Sequence, residues 1–436
     1  MSTAKQPVLS FEQAPPISVP FRFFLTAPLF GIAAALLLLW QPSAILDSRW
    51  APASFALTHL IVLGFMLQVM CGALLQMIPV VVGANIWQPR RVTLFTHAGL
   101  TVGTILLVGG FSAGSPLLFR IATPFLGVSL GGFALVVLVA LLRTPAVGPT
   151  LLALRLSVLA FLVTILLGGA LGTSAGWPIV LPSIGWTDIH AAWGLVGWSL
   201  LLVAGVAFLV VPMFQLTSAY PVLLARCLPG ALFAVLCLWS FAAQYAETAR
   251  IALGSMGAAL AAWFALATLR LQARRRRKIV ESTLLFWRLS MIALALAAAL
   301  FIAQQLILPV ADFAATPYLL GTMLFAGVFA AVICGMLYKI VPFLIWLHLQ
   351  KYALAGLPVP NMKQIIPERN MQAQFRVHLL AFVLLLAAPA LPLLAQAGAV
   401  VMALSFILLE WNLIVATRMF IRAGRELEQR HQAALA

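Results

Sequence analysis

The chain has 436 residues, of which 64% are hydrophobic and only 8% charged, and its formal net charge is +16. A soluble surface needs far more charge than that. A soluble enzyme, a disordered chain and a nucleic-acid-binding protein are therefore excluded, and the positive charge has to be explained by its location rather than by a polyanionic partner.

The mean hydropathy of +1.09 and a succession of apolar runs long enough to cross a bilayer predict an all-α, polytopic membrane protein whose main partner is lipid. A polar, proline-containing segment, 1–19, comes first. Twelve helices follow, over 20–41, 52–82, 92–112, 116–143, 150–173, 186–214, 220–243, 248–271, 284–309, 314–346, 374–395 and 397–420, and a basic tail, 421–436, closes the chain. The first apolar run ends without a small-residue cleavage site and is expected to stay as an anchor. Gln88-Pro89-Arg90-Arg91, the stretch from Gly172 to Pro182 and the stretch from Ala273 to Lys278 mark three of the breaks. The boundary near Gln396 is the weakest.

With an even number of spans both termini share one side. Of the 26 basic residues, all but Arg49, Arg120 and Arg250 fall on that side. The bias of Lys and Arg toward cytoplasmic loops then predicts cytoplasmic termini in a prokaryotic inner (plasma) membrane. The run Arg274-Arg275-Arg276-Arg277-Lys278 reads as a topology anchor near anionic lipid. Cys71, Cys227, Cys237 and Cys334 all lie within apolar runs and without a CxxC partner, and are expected to be unpaired buried thiols.

The chain also repeats itself. Helix 2 contains Gly64, Gly72 and Pro79; helix 6 contains Gly197, Gly205 and Pro212; helix 10 contains Gly327, Gly335 and Pro342. The internal spacing is the same in each. Arg22, Arg155 and Arg288 stand at the starts of helices 1, 5 and 9, and Arg143, Arg270 and Arg418 close helices 4, 8 and 12. The unit is four helices used three times, over about 20–143, 150–271 and 284–420. A division into thirds argues against a major-facilitator transporter, which has two related halves. The glycines permit close helix approach, either to pack neighbours or to make room for a cofactor. A proline near a helix end confines the hydrogen-bond loss to the exit turn.

Helix 2 reads Thr58-His59-Leu60-Ile61-Val62-Leu63-Gly64, and helix 6 reads Asp188-Ile189-His190-Ala191-Ala192-Trp193-Gly194. With three four-helix units and an outer-side histidine opening the second helix of a unit, this organisation resembles the catalytic subunit of the haem-copper oxidase superfamily. The resemblance implies a haem-copper-oxidase-like fold. It does not imply oxygen reduction, because helix 10 lacks the family's two haem histidines, helix 7 lacks its histidine pair to copper, and Gly194 stands where the family has a tyrosine. The chain is similar in kind to a divergent relative such as the NnrS family, whose members are regarded as haem- and copper-containing proteins linked to nitric oxide stress.

An imidazole at membrane depth is costly unless satisfied, so His59 and His190 are the candidate cofactor-binding residues. Facing each other, they suit axial ligation of a haem iron, or a copper site; satisfied structural histidines are the alternative. Met66 and Met70, seven and eleven residues after His59, are about two and three turns on and share its face, and with it would make a soft copper(I) site; core packing is the other reading. Asp188 reads as the N-cap of helix 6 rather than as support for His190. Glu410, within helix 12, is the candidate proton-relay acid, or else pairs with an arginine or stays protonated. His97, His348, His378 and His431 read as interfacial or capping groups. Two functions follow. The first is a haem-binding, and secondarily copper-binding, membrane protein of respiratory or nitric oxide-related redox metabolism, served by an electron-donor or respiratory-chain protein. The second is a cofactor-free transporter, scaffold or respiratory-enzyme assembly factor.

Overall fold

The computed structural model describes residues 15–179, 185–277, 279–354 and 357–435; residues 1–14, Pro182 and Lys278 lie outside them. Among the described residues there is no strand, and twelve helices are long and apolar enough to span a bilayer. They are α1 (Ser18–Trp40), α2 (Pro52–Val82), α3 (Pro89–Ala113), α4 (Pro116–Arg143), α5 (Pro149–Gly176), α6 (Gly185–Gln215), α7 (Val222–Tyr245), α8 (Glu247–Ala273), α9 (Ser282–Leu306), α10 (Thr316–Gln350), α11 (Glu368–Ala387) and α12 (Leu393–Ala433). The protein is a polytopic membrane protein. Odd-numbered helices start, and even-numbered helices end, at one end of the bundle, the terminal end, where α1 begins and α12 finishes; the odd-numbered helices finish at the opposite, far end.

The contacts follow one scheme throughout. α1 packs on α2, α5 on α6, and α9 on α10; α3 pairs with α4, α7 with α8, and α11 with α12. The joints run α4 to α5, α8 to α9, and α12 back to α1, so the chain closes on itself. Helices α2, α6 and α10 are the innermost: 72%, 67% and 78% of their most apolar stretches is buried, against 28–56% for the other nine. At the terminal end they enclose a small apolar cavity of about 70 Å³, walled by Met77 and Val80, Val210 and Met213, and Met336 and Ile340.

The repeated glycines lie at helix crossings. A Cβ on Gly197 would stand 2.8 Å from Ala160 of α5, and one on Gly327 2.7 Å from Ala293 of α9; at Gly64 it would stand 2.4 Å from the Phe30 ring of α1. Gly72, Gly205 and Gly335 press in the same way on Phe24, Ala153 and Phe286, near the starts of α1, α5 and α9. Of the two readings of these glycines, the structure supports close packing of the second helix of each unit against its first.

Each inner helix also holds a feature that the spacing did not predict. An eight-residue π segment interrupts α2 at Leu60–Leu67, α6 at Trp193–Leu200 and α10 at Met323–Ala330. Gly64, Gly197 and Gly327 are the fifth residue of each. A π turn widens the ladder to i→i+5 bonds, is rare, and recurs at functional sites.

Two boundaries move. The turn expected near Gln396 falls at 388–392, where Pro389 and Pro392 each remove a backbone donor. Helix α12 also continues to Ala433, so the basic tail is largely helical. Of the cysteines, Cys71 and Cys334 are buried, whereas Cys227 and Cys237 are exposed on α7; all four are free thiols.

Candidate functional site

His59 lies two turns inside the far end of α2 and immediately precedes its π segment. His190 lies in the first turns of α6, three residues before the corresponding segment. Their rings are 6.5 Å apart between centroids and inclined by only 18°. The structure thus brings together two side chains that are 131 positions apart in sequence.

Hydrogen bonding fixes which nitrogen of each ring is available. His59 Nδ1 is 2.8 Å from the Phe55 carbonyl oxygen, and His190 Nδ1 is 3.1 Å from that of Thr164. A carbonyl can only accept, so both Nδ1 atoms carry the proton, and both Nε2 atoms keep a lone pair. Among the described residues neither Nε2 has a hydrogen-bond partner. Metal-ligating histidines are held in this way, with the other ring N–H donated to a carbonyl or carboxylate. Two imidazole nitrogens about 2.0–2.1 Å from one ion leave ring centres roughly 6 Å apart, and the observed separation meets that requirement.

The walls are tightly built. Phe111 of α3 stacks on His59 at 5.3 Å and Phe55 stacks on Phe111. Gly168 of α5 gives His190 its place: a Cβ there would lie 2.9 Å from the ring carbon Cε1. Above the pair, Arg49 and Asp188 form a 2.6 Å ion pair that ties the α1–α2 loop to the first turn of α6. The Arg49 guanidinium also lies 4.3 Å over the Trp50 ring. Asp188 therefore neither caps α6 with its side chain nor supports His190, as its hydrogen bond goes to Arg49; the carbonyl of Thr164 does the latter.

The remaining candidates are dispersed. Met66 and Met70 are packed in the main apolar core. The face they were expected to share with His59 assumed a regular α-helix, and the π segment between them breaks that phase. Glu410 has one carboxylate oxygen buried without a hydrogen-bond partner, and among the described residues no basic side chain forms an ion pair with it. His97 Nε2 is 2.8 Å from Thr26 Oγ1, and His348 bonds the Leu344 carbonyl, as polar groups near helix ends do. His431 lies edge-on to Tyr352 at 6.4 Å.

His378 differs from its expected interfacial position, because it is fully buried. Its Nε2 donates to the Ala326 carbonyl, within the π segment of α10, at 3.0 Å, and its Nδ1 lies 3.3 Å from Ser405 Oγ. Gln374 donates to the same hydroxyl at 2.8 Å. Ser405 can then direct its proton to Nδ1, so both ring nitrogens are satisfied. The sequence signal for this group was Gln374 and His378 one turn apart, facing Ser405 on the next helix.

Among the described residues no cluster of three or more His, Cys, Asp or Glu side chains is arranged to hold a metal ion; the candidate centre is a two-histidine one. No family model and no curated protein matches the chain.

Proposed function

We propose that the chain is a redox protein of the inner membrane, of haem-copper-oxidase-like architecture with cytoplasmic termini, and that His59 and His190 hold one copper-class ion. The observation that carries this reading is the proximity of two imidazoles, 6.5 Å between ring centroids, each with Nδ1 bonded to a backbone carbonyl and Nε2 left uncommitted. The closed scheme of helix contacts and the π segments in one register on α2, α6 and α10 support the architecture.

The donor set favours copper. Two imidazoles are a coordination that copper(I) accepts, whereas zinc takes four donors. The geometry supports a bare ion more than haem. Phe111 and Gly168 already pack against the two rings, and neither of the two cavities described borders His59 or His190. Bound copper would supply one-electron chemistry. The protein's own part is to present two neutral imidazoles, to exclude bulk water with Phe55 and Phe111, and to close the far end with the Arg49–Asp188 pair. Respiratory or nitric oxide-related metabolism, with an electron-donor protein as partner, is the setting the family resemblance implies.

The test is a copper(I) titration of purified protein against a chromogenic chelator, with metal analysis and visible spectra on the same sample. One equivalent bound by the wild type, and lost in His59→Ala and His190→Ala, is expected. Binding that both variants retain, or no binding at all, would overturn the metal site and leave the scaffold, transporter or assembly-factor reading. A reduced α-band near 550–565 nm, weakened in the same variants, would replace copper by haem.

A further inference from the structure

The larger cavity, about 380 Å³, opens at the far end between α1, α2, α10, α11 and α12. That volume falls within the roughly 300–1,000 Å³ of small-molecule sites. Small residues make two of its walls: Gly31, Ala34 and Ala35 on α1, and Gly321, Ala326 and Ala330 on α10. Phe325, Phe406 and Met402 complete an apolar interior. The charged residues that line it, Asp47 and Arg49, stand at the mouth, where Arg49 is paired with Asp188, and the interior holds no charged side chain.

Five hydroxyl-bearing residues line this cavity: Ser48 and Ser54, whose hydroxyls bond to nearby backbone, and Thr58 on α2 with Tyr318 and Thr322 on α10. The Tyr318 hydroxyl is buried, and the Thr322 side chain is the one polar group it faces among the described residues, without a well-formed hydrogen bond between them. Thr58 reaches the same cavity from α2, one residue before His59. Some hydroxyls elsewhere in the bundle are satisfied within their own helix, as Thr104 is by Leu100, Thr164 by Ala160 and Thr268 by Phe264, and others, such as Thr93, Thr96 and Ser290, are packed without a partner and border no cavity described. A hydroxyl left without a partner in an apolar setting is costly. The cavity therefore combines apolar walls of small residues, an interior without charged side chains, and hydroxyls from two helices.

We infer that this cavity binds a neutral, flat, lipid-soluble molecule with oxygens at two edges of a ring, of the quinone class. Thr58 on α2 and Tyr318 with Thr322 on α10 meet the two oxygens, and the small residues of α1 and α10 clasp the ring. The site stands on the cavity alone and does not require the copper centre. His59 is on the same helix as Thr58 but does not line the cavity.

The probe is decyl-ubiquinone, a short-tailed benzoquinone, in equilibrium binding to the purified full chain. Saturable one-to-one binding is expected. Tyr318→Phe and Thr58→Val should each weaken it about 3- to 10-fold, the worth of one hydrogen bond. Gly321→Leu should weaken it by more than about tenfold by filling the slot, since a Cβ at Gly321 meets only the Phe325 ring, at 3.8 Å. The two hydroxyl variants keep the test decisive if Gly321→Leu fails to fold. Equal affinity in the wild type and in both hydroxyl variants would overturn the assignment, as would displacement of the probe by equimolar phosphatidylglycerol, which would make this a lipid-chain site. The copper titration, run on the same samples, is expected to be unchanged in all three variants, so failure of one site is distinguishable from failure of the other.

Discussion

Two regions of the bundle place imidazoles at membrane depth and treat them in opposite ways. In the third unit, His378 is sealed: both ring nitrogens are engaged, one by the Ala326 carbonyl and one by Ser405, and the ring has no exposed surface. Between the first and second units, His59 and His190 each use one nitrogen and are only partly buried. A polar ring in lipid has to be satisfied. His378 is satisfied by protein, and a ring that is half satisfied is one that a ligand can complete. Burial alone does not separate a structural histidine from a binding one; the number of committed nitrogens does.

The contrast can be broken by substitution. The largest expected effect is on metal affinity: His59→Ala or His190→Ala should lower copper affinity by more than about a hundredfold, beyond the range seen when only an outer hydrogen-bond partner is lost. His378→Ala should leave copper binding intact while destabilising the bundle by about 2–3 kcal/mol, because it strands the Ala326 carbonyl and the Ser405 hydroxyl; thermal unfolding in detergent reads this. If His378→Ala abolished copper binding and His59→Ala only lowered stability, the assignment of roles would be reversed. Gly197→Ala should cost about 1–3 kcal/mol through overpacking against Ala160, read by the same melt. Arg49→Ala should cost less than about 1 kcal/mol, since the Arg49 and Asp188 side chains are 47% and 40% exposed. Glu410→Gln should shift stability by no more than about 0.5 kcal/mol, because it breaks no ion pair; a large loss would reveal a partner for this acid.

Much of the fold was legible in the sequence. Apolar run lengths gave twelve spans, and the Gly-Gly-Pro spacing picked out α2, α6 and α10, which are the three most buried helices. The His59–His190 pairing was legible as well, since both residues precede the repeated glycines on helices expected to face inward. What was not legible depends on local backbone or on distant partners. Nothing in Leu60-Ile61-Val62-Leu63 announces a π turn, so a regular helix wrongly aligned Met66 and Met70 with His59. Asp188 looks like a cap because its partner, Arg49, is 139 positions away. Pro389 and Pro392 do carry the signal for the last loop, but it is weak beside the polar residue Gln396.

The three π segments set a rotational phase. In a regular helix each residue turns the chain by about 100°, so a segment that absorbs an extra residue lets the far half of a helix point independently of its terminal half. In α2, Gly72 and Pro79 keep their register against α1 whichever way His59 is aimed, and the segment at 60–67 works as a vernier between packing and aim. Deleting one residue from that segment should therefore leave α2 helical and seated on α1, yet swing His59 by about 100° away from His190. The bundle would stand and the pair would be gone.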